Sequence, residues 1–153
     1  MGVVKQRVDV QPDLYERDFY EWANYMAERL KQRDAEALDW DNLAEEIEGL
    51  ARSDRRELYS RIEVLIVRLL KWKVQTEFRC GSWRGSIVEQ RSRIEDLLDQ
   101  SPSLRNTVQD AVVKKYPVAK QKAVAEMGLL QDSFPAECPF TLDQTLDYKF
   151  LPE

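Results

Sequence analysis

The chain is predicted to be all-α, a single-domain helical bundle around one long central helix, and three observations carry that reading. Helix-forming residues dominate, while glycine (5) and proline (6) are few. Apolar residues recur at steps of three and four through most of the 153 positions, the period of a helix with one buried face. Charged residues make up 33% and apolar residues 43%, the balance of a chain that can bury a core and leave a charged surface.

Each element follows from local signals. Asp13 and Glu16 have the spacing of a capping box, after which Tyr15, Phe19, Trp22, Ala23, Met26 and Leu30 mark a first helix over about 14–32. Asp39 and Asp41 are caps for the long helix, about 41–76. Its stripe, Leu43, Ile47, Leu50, Leu58, Ile62, Leu65, Leu69 and Trp72, passes through the charged segment ARSDRR, although Ser53-Asp54 could equally end one helix and cap the next. The segment VQTEFRCGS turns the chain. Ser82 is a candidate cap for a helix over about 83–100, carried by Trp83, Ile87, Ile94 and Leu97 or Leu98. Ser101 before Pro102 starts the next helix, about 102–127, with Pro117 as a kink or restart and Gly128 as its stop. A proline-rich tail, 130–153, is expected to lie over the bundle, with Thr141 and Gln144 forming a capping box for a short helix near 142–148. Residues 1–12 form an N-terminal extension. No repeat interrupts this order.

Composition removes several chemistries. The sequence holds no histidine, so Ser-His and Cys-His nucleophile pairs, His-ligated zinc or haem and the Glu-x-x-His di-iron pattern are all absent. The two cysteines, Cys80 and Cys138, are too few for a zinc site and read as structural thiols. The longest apolar run, Val64 to Val67, is far short of the roughly 20 residues of a membrane span, and the first ten residues lack the apolar core of a secretion signal. A cytoplasmic protein is expected. The net charge of −5 disfavours nucleic acid as a partner.

The order of several motifs is familiar. LDWDNLAEEIE at 38–48, LLKW at 69–72, SWR at 82–84 with EQR at 89–91, PSL at 102–104, and Phe134-Pro135 followed by Cys138-Pro139 resemble the domain of unknown function 29 family over nearly the whole chain. That resemblance implies an α-helical domain of bacterial, especially cyanobacterial, type with no assigned activity. Many members of the family carry a histidine where this chain has Arg68, so a role for that imidazole does not transfer. The family supplies no catalytic residue to carry over.

Two charged constellations remain. Asp41, Glu45 and Glu48 stack at i, i+4 and i+7 on one helix side, and Glu45 with Glu48 is a candidate metal pair that Asp96 and Asp99 could complete. The pattern is loosely similar to the carboxylate pairs of all-α nucleotide pyrophosphohydrolases, but acids near a helix start also favour the macrodipole without any ligand. The second constellation is basic. Residues 68–93 carry seven positive charges against two acids, whereas 34–57 carry nine acids against three arginines. Arg84 and Arg91, seven apart, could form a fork for phosphate or carboxylate, with Arg68 and Lys71 as further candidate ligand-binding residues. Trp72 and Trp83 are placed by their spacing toward the core, where a ring cannot stack on a base. Arg68 borders the apolar stripe and needs a partner, with the acids of LAEEIEGL and Glu89 as candidates.

The leading expectation is therefore a non-catalytic structural or protein-interaction module without a cofactor, whose acidic and basic segments pair within one chain or between two copies. The alternative is a Mg²⁺-dependent enzyme or phosphate or nucleotide binder using Glu45, Glu48, Arg84 and Arg91.

Overall fold

The computed structural model describes residues 14–153, and among them helices are the only regular elements. They are α1 (Leu14–Arg17), α2 (Phe19–Lys31), α3 (Trp40–Val74), α4 (Gly81–Gln100), α5 (Val108–Met127) and α6 (Leu142–Leu146), joined by short 3₁₀ turns. The all-α class and the long central helix of the sequence reading are both present. No helix of the described residues is long and apolar enough to cross a membrane. The chain forms two compact units, Met1–Ala51 and Arg52–Glu153, and α3 supplies residues to each.

In the first unit the helix expected over 14–32 is divided. Asp18 leaves helical geometry and its carboxylate accepts the Glu21 backbone N–H at 2.9 Å, so the chain restarts at Phe19 with a new cap. Asp13, the expected cap, lies outside the described residues, as does the extension 1–12. Helix α2 ends in a Schellman turn. Arg33 takes the left-handed position at φ 56° and donates to the Leu30 carbonyl, while the Asp34 N–H reaches back to the Arg29 carbonyl, both at 3.0 Å.

Among the described residues of this unit Leu14, Trp22 and Met26 are buried, with Tyr15, Tyr25, Leu38 and Leu43 partly covered around them. Asp39 organises the entry to α3. One of its oxygens accepts from the Trp22 indole N–H at 3.1 Å and from the Asn42 amide at 2.7 Å. The Tyr15 hydroxyl donates to Glu46, which with burial and nearby carboxylates pushes its pKa up to about 12. Ile47 and Leu50, expected on the buried stripe, are instead exposed at 66% and 70%. Their periodicity marks a face that suits burial, and none of the described elements of the first unit covers it.

In the second unit the same stripe is buried as expected. Leu58, Ile62, Leu65, Ile66, Leu69 and Leu70 of α3 pack into one cluster with Ile87, Ile94 and Leu98 of α4 and with Ala111, Val112, Tyr116 and Ala119 of α5. Glu63 is nearly buried beside this cluster and accepts from Lys122 and, at 3.0 Å, from Lys115, which ties α3 to α5. Helix α4 starts one residue before the expected cap, so that Cys80 and not Ser82 is the cap residue. Residues 102–107 wind as a 3₁₀ helix before α5 proper, and Pro117 lies inside α5 without ending it. Gly128 caps α5 at φ 66°, a left-handed position that glycine occupies without a Cβ clash.

The tail is more deeply held than a surface strap. Phe134 and Phe140 are buried in the cluster, the Tyr116 hydroxyl donates to the Pro135 carbonyl at 2.7 Å, and both hydrogen bonds of the Thr141–Gln144 capping box are formed. Helix α6 follows from that box and closes at Leu146.

Candidate functional site

The basic segment of the second unit is mostly engaged in its own fold. Arg91 follows Ile87 by four and precedes Ile94 by three, so it shares their inward face. It is 2% exposed and donates to three main-chain carbonyls of the tail, those of Thr145 at 2.9 Å, Phe150 at 2.9 Å and Gln144 at 3.1 Å. Burial pulls its pKa below the ordinary arginine value, an effect that the Asp147 charge opposes. Arg84 is exposed, so the two arginines do not converge on one outer face.

The other basic candidates are similarly placed. Lys71 pairs with Glu126 at 2.9 Å and lies 5.0 Å from the centre of the Trp83 ring. Arg79 covers Trp72 at 5.3 Å and donates to the Trp72 carbonyl at 2.7 Å and the Pro152 carbonyl at 3.3 Å. The two indoles are thus half-buried and each is covered by a cation; Trp72 packs against the apolar cluster, as its spacing implies, without being sealed inside it. Arg68 is half-buried and its Nε finds no hydrogen-bond partner, while Glu89, one of its expected partners, is taken by Arg93 at 2.9 Å.

The acidic candidates belong to different units. Glu45 and Glu48 are exposed on α3 in the first unit and each already has an interaction partner. Asp96 and Asp99 are exposed on α4 of the second unit, where Asp99 pairs with Arg105 at 3.6 Å. Among the described residues, no three carboxylates or thiols gather closely enough to hold a metal ion. Cys80 is exposed and Cys138 partly buried, and burial raises the Cys138 thiol pKa, which disfavours the thiolate. A groove of about 390 Å³ lies between α4 and the tail, floored by Ile94, Leu98 and Leu146. Its rim is occupied by internal contacts, among them Tyr148 donating to Glu95 at 2.8 Å.

What the first unit presents is different in kind. Trp40, Ala44, Ile47 and Ala51 recur at steps of four, three and four on α3, all exposed, with Leu50 beside them. This strip is roughly 16 Å long at 1.5 Å per residue. Two bulky residues alternate with two alanines, which leaves recesses between the larger side chains. Asp41 and Glu48 each follow a strip residue by one position, about 100° around the helix, and so line one border. Residues 14–51 carry eleven acids and four bases, a net −7, whereas 52–153 carry fifteen acids and seventeen bases, a net +2. The sequence contained this strip, but periodicity alone does not say whether a face is covered within the chain.

A family model described as "Domain of unknown function DUF29" matches residues 14–151, nearly the whole chain. The chain belongs to that family. Neither the curated proteins nor the solved structures compared with it include a match.

Proposed function

We propose that this DUF29 chain is a non-catalytic protein-interaction module, and that its docking surface is the strip Trp40, Ala44, Ile47 and Leu50 on α3. The observation that carries the reading is the inversion of burial in the first unit. That unit encloses Leu14, Trp22 and Met26 but exposes Phe19, Tyr20, Leu30, Trp40, Ile47 and Leu50. Covering a large apolar side chain fully is worth roughly 1.5–3 kcal/mol, so several on one helix face supply a driving force for association. The aromatic member, Trp40, is of the type that anchors such contacts.

A Mg²⁺- or phosphate-dependent activity using Glu45, Glu48, Arg84 and Arg91 has weaker support, because the donors of Arg91 already serve the tail carbonyls.

The module reading is tested by size-exclusion of extracts from the source cells. The wild-type chain is expected to elute well above its own 18.0 kDa. An Ile47→Gln, Leu50→Gln variant, which keeps helix-forming residues at both positions, is expected at the mass of the free chain with unchanged helical circular dichroism. Identical elution of the two proteins overturns the assignment.

A further inference from the structure

We infer that the occupant of the α3 strip is a positively charged amphipathic helix of another protein, a conclusion that rests on the interaction reading and adds the chemistry of the partner. The shape of the strip argues for a helix. It follows a single helix, and Ala44 and Ala51 leave recesses beside Trp40 and Ile47 that side chains spaced three and four apart on a partner helix would enter.

The charge of the partner follows from what surrounds the strip. Asp41 and Glu48 border it, Glu21 and Glu36 are exposed elsewhere on the same unit, and residues 14–51 sum to −7. A second copy docked through the same face would bring two units of −7 together, since a two-fold contact uses the same patch on both sides. The basic segment of a second copy is a weaker match, because Lys71, Arg79, Arg91 and Arg93 are committed to contacts within their own chain, and Lys73 and Arg84 are what it exposes besides. A separate lysine- or arginine-rich helix covers the strip and complements the net −7 of the unit around it, and that excess of acids speeds its capture by steering it.

The probes are three labelled synthetic helices of about twenty residues, with leucine in one stripe and lysine, glutamine or glutamate elsewhere, titrated by fluorescence anisotropy into the full-length chain. The lysine helix is expected to bind at least tenfold more tightly than the glutamine helix at low salt. The difference narrows as salt screens the border. The Ile47→Gln, Leu50→Gln chain is expected to lose at least tenfold for the lysine helix. A lysine helix that binds this variant as well as wild type reports charge attraction alone and overturns the inference, as does absence of binding by any helix. Equal or tighter binding of the glutamine or glutamate helix overturns the basic partner while leaving the interaction reading in place. Concentration-dependent dimerisation of the purified chain that is lost in the same variant assigns the strip to a second copy, with the same consequence.

Discussion

At Arg91 a single guanidinium holds the tail by three carbonyls, and its replacement shows how directly side-chain chemistry sets the fold. Arg91→Ala leaves the Thr145 carbonyl, in a buried hydrogen bond, and the part-buried Phe150 and Gln144 carbonyls without this donor; an unsatisfied buried acceptor costs roughly 1–3 kcal/mol, so a loss of about 2 kcal/mol in denaturant unfolding is expected. Arg91→Lys does not restore it, because one ammonium cannot reproduce the planar fork. Faster proteolysis of the tail in both variants is the accompanying readout. Arg33 offers the opposite sign. A non-glycine residue at φ 56° costs roughly 1–2 kcal/mol, and the added freedom of an unfolded glycine returns about 0.5–1 of that, so Arg33→Gly is expected to stabilise by about 0.5–1 kcal/mol. The inward position of Arg91 was legible in its spacing from Ile87 and Ile94. Its acceptors were not, because a main-chain carbonyl leaves no mark in a sequence.

Among the elements, the tie between α3 and α5 is electrostatic as well as apolar. Burial by itself would raise the Glu63 carboxyl, but hydrogen bonds from Lys122 and Lys115 outweigh it and hold the group below its ordinary value of 4.5. The native state therefore binds the proton less readily than the unfolded chain does. The stabilisation is complete above that ordinary value and is lost as pH falls through the lower native one. Thermal unfolding across the acid range is expected to show this loss in wild type and a shallower dependence in Glu63→Gln. Helix boundaries were legible where local chemistry decides them, as at the capping box of Thr141 and the stop at Gly128; that α3 runs unbroken through Ser53-Asp54 was one of two readings that the local residues allowed. The break at Asp18 was not, since Tyr15, Phe19 and Trp22 keep helical spacing across it and pack edge to face or tilted as one cluster. An aspartate that caps and an aspartate on a helix surface look alike until the turn is formed.

At the scale of the whole molecule, the two units divide the apolar residues unequally. Arg52–Glu153 encloses its stripe, while the first unit leaves much of its own outside. Each unit holds a tyrosine with a raised pKa. Tyr15 and Tyr116 are both pushed up to about 12, the first mainly by its bond to Glu46 and the second mainly by burial. A tyrosine whose native pKa is raised keeps its full contribution below 10 and loses it as pH rises toward about 12. Stability is expected to decline over that interval, and Tyr116→Phe to reduce the slope in parallel chemical-unfolding curves at successive pH values. The all-α class was legible from composition and period. The candidate surface was legible as residues and invisible as a surface, because a helical repeat predicts which side chains want cover and is silent on where it comes from.

The clamp at Arg91 reads the tail through its peptide groups and is indifferent to the side chains that carry them. Drift at Gln144 and Phe150 is thus tolerated so far as this grip is concerned, whereas a stop codon ahead of Thr141 would remove all three acceptors at once and open to water the inward face that Arg91 shares with Ile87 and Ile94. Shortening this protein from its far end is felt as a wound in the middle.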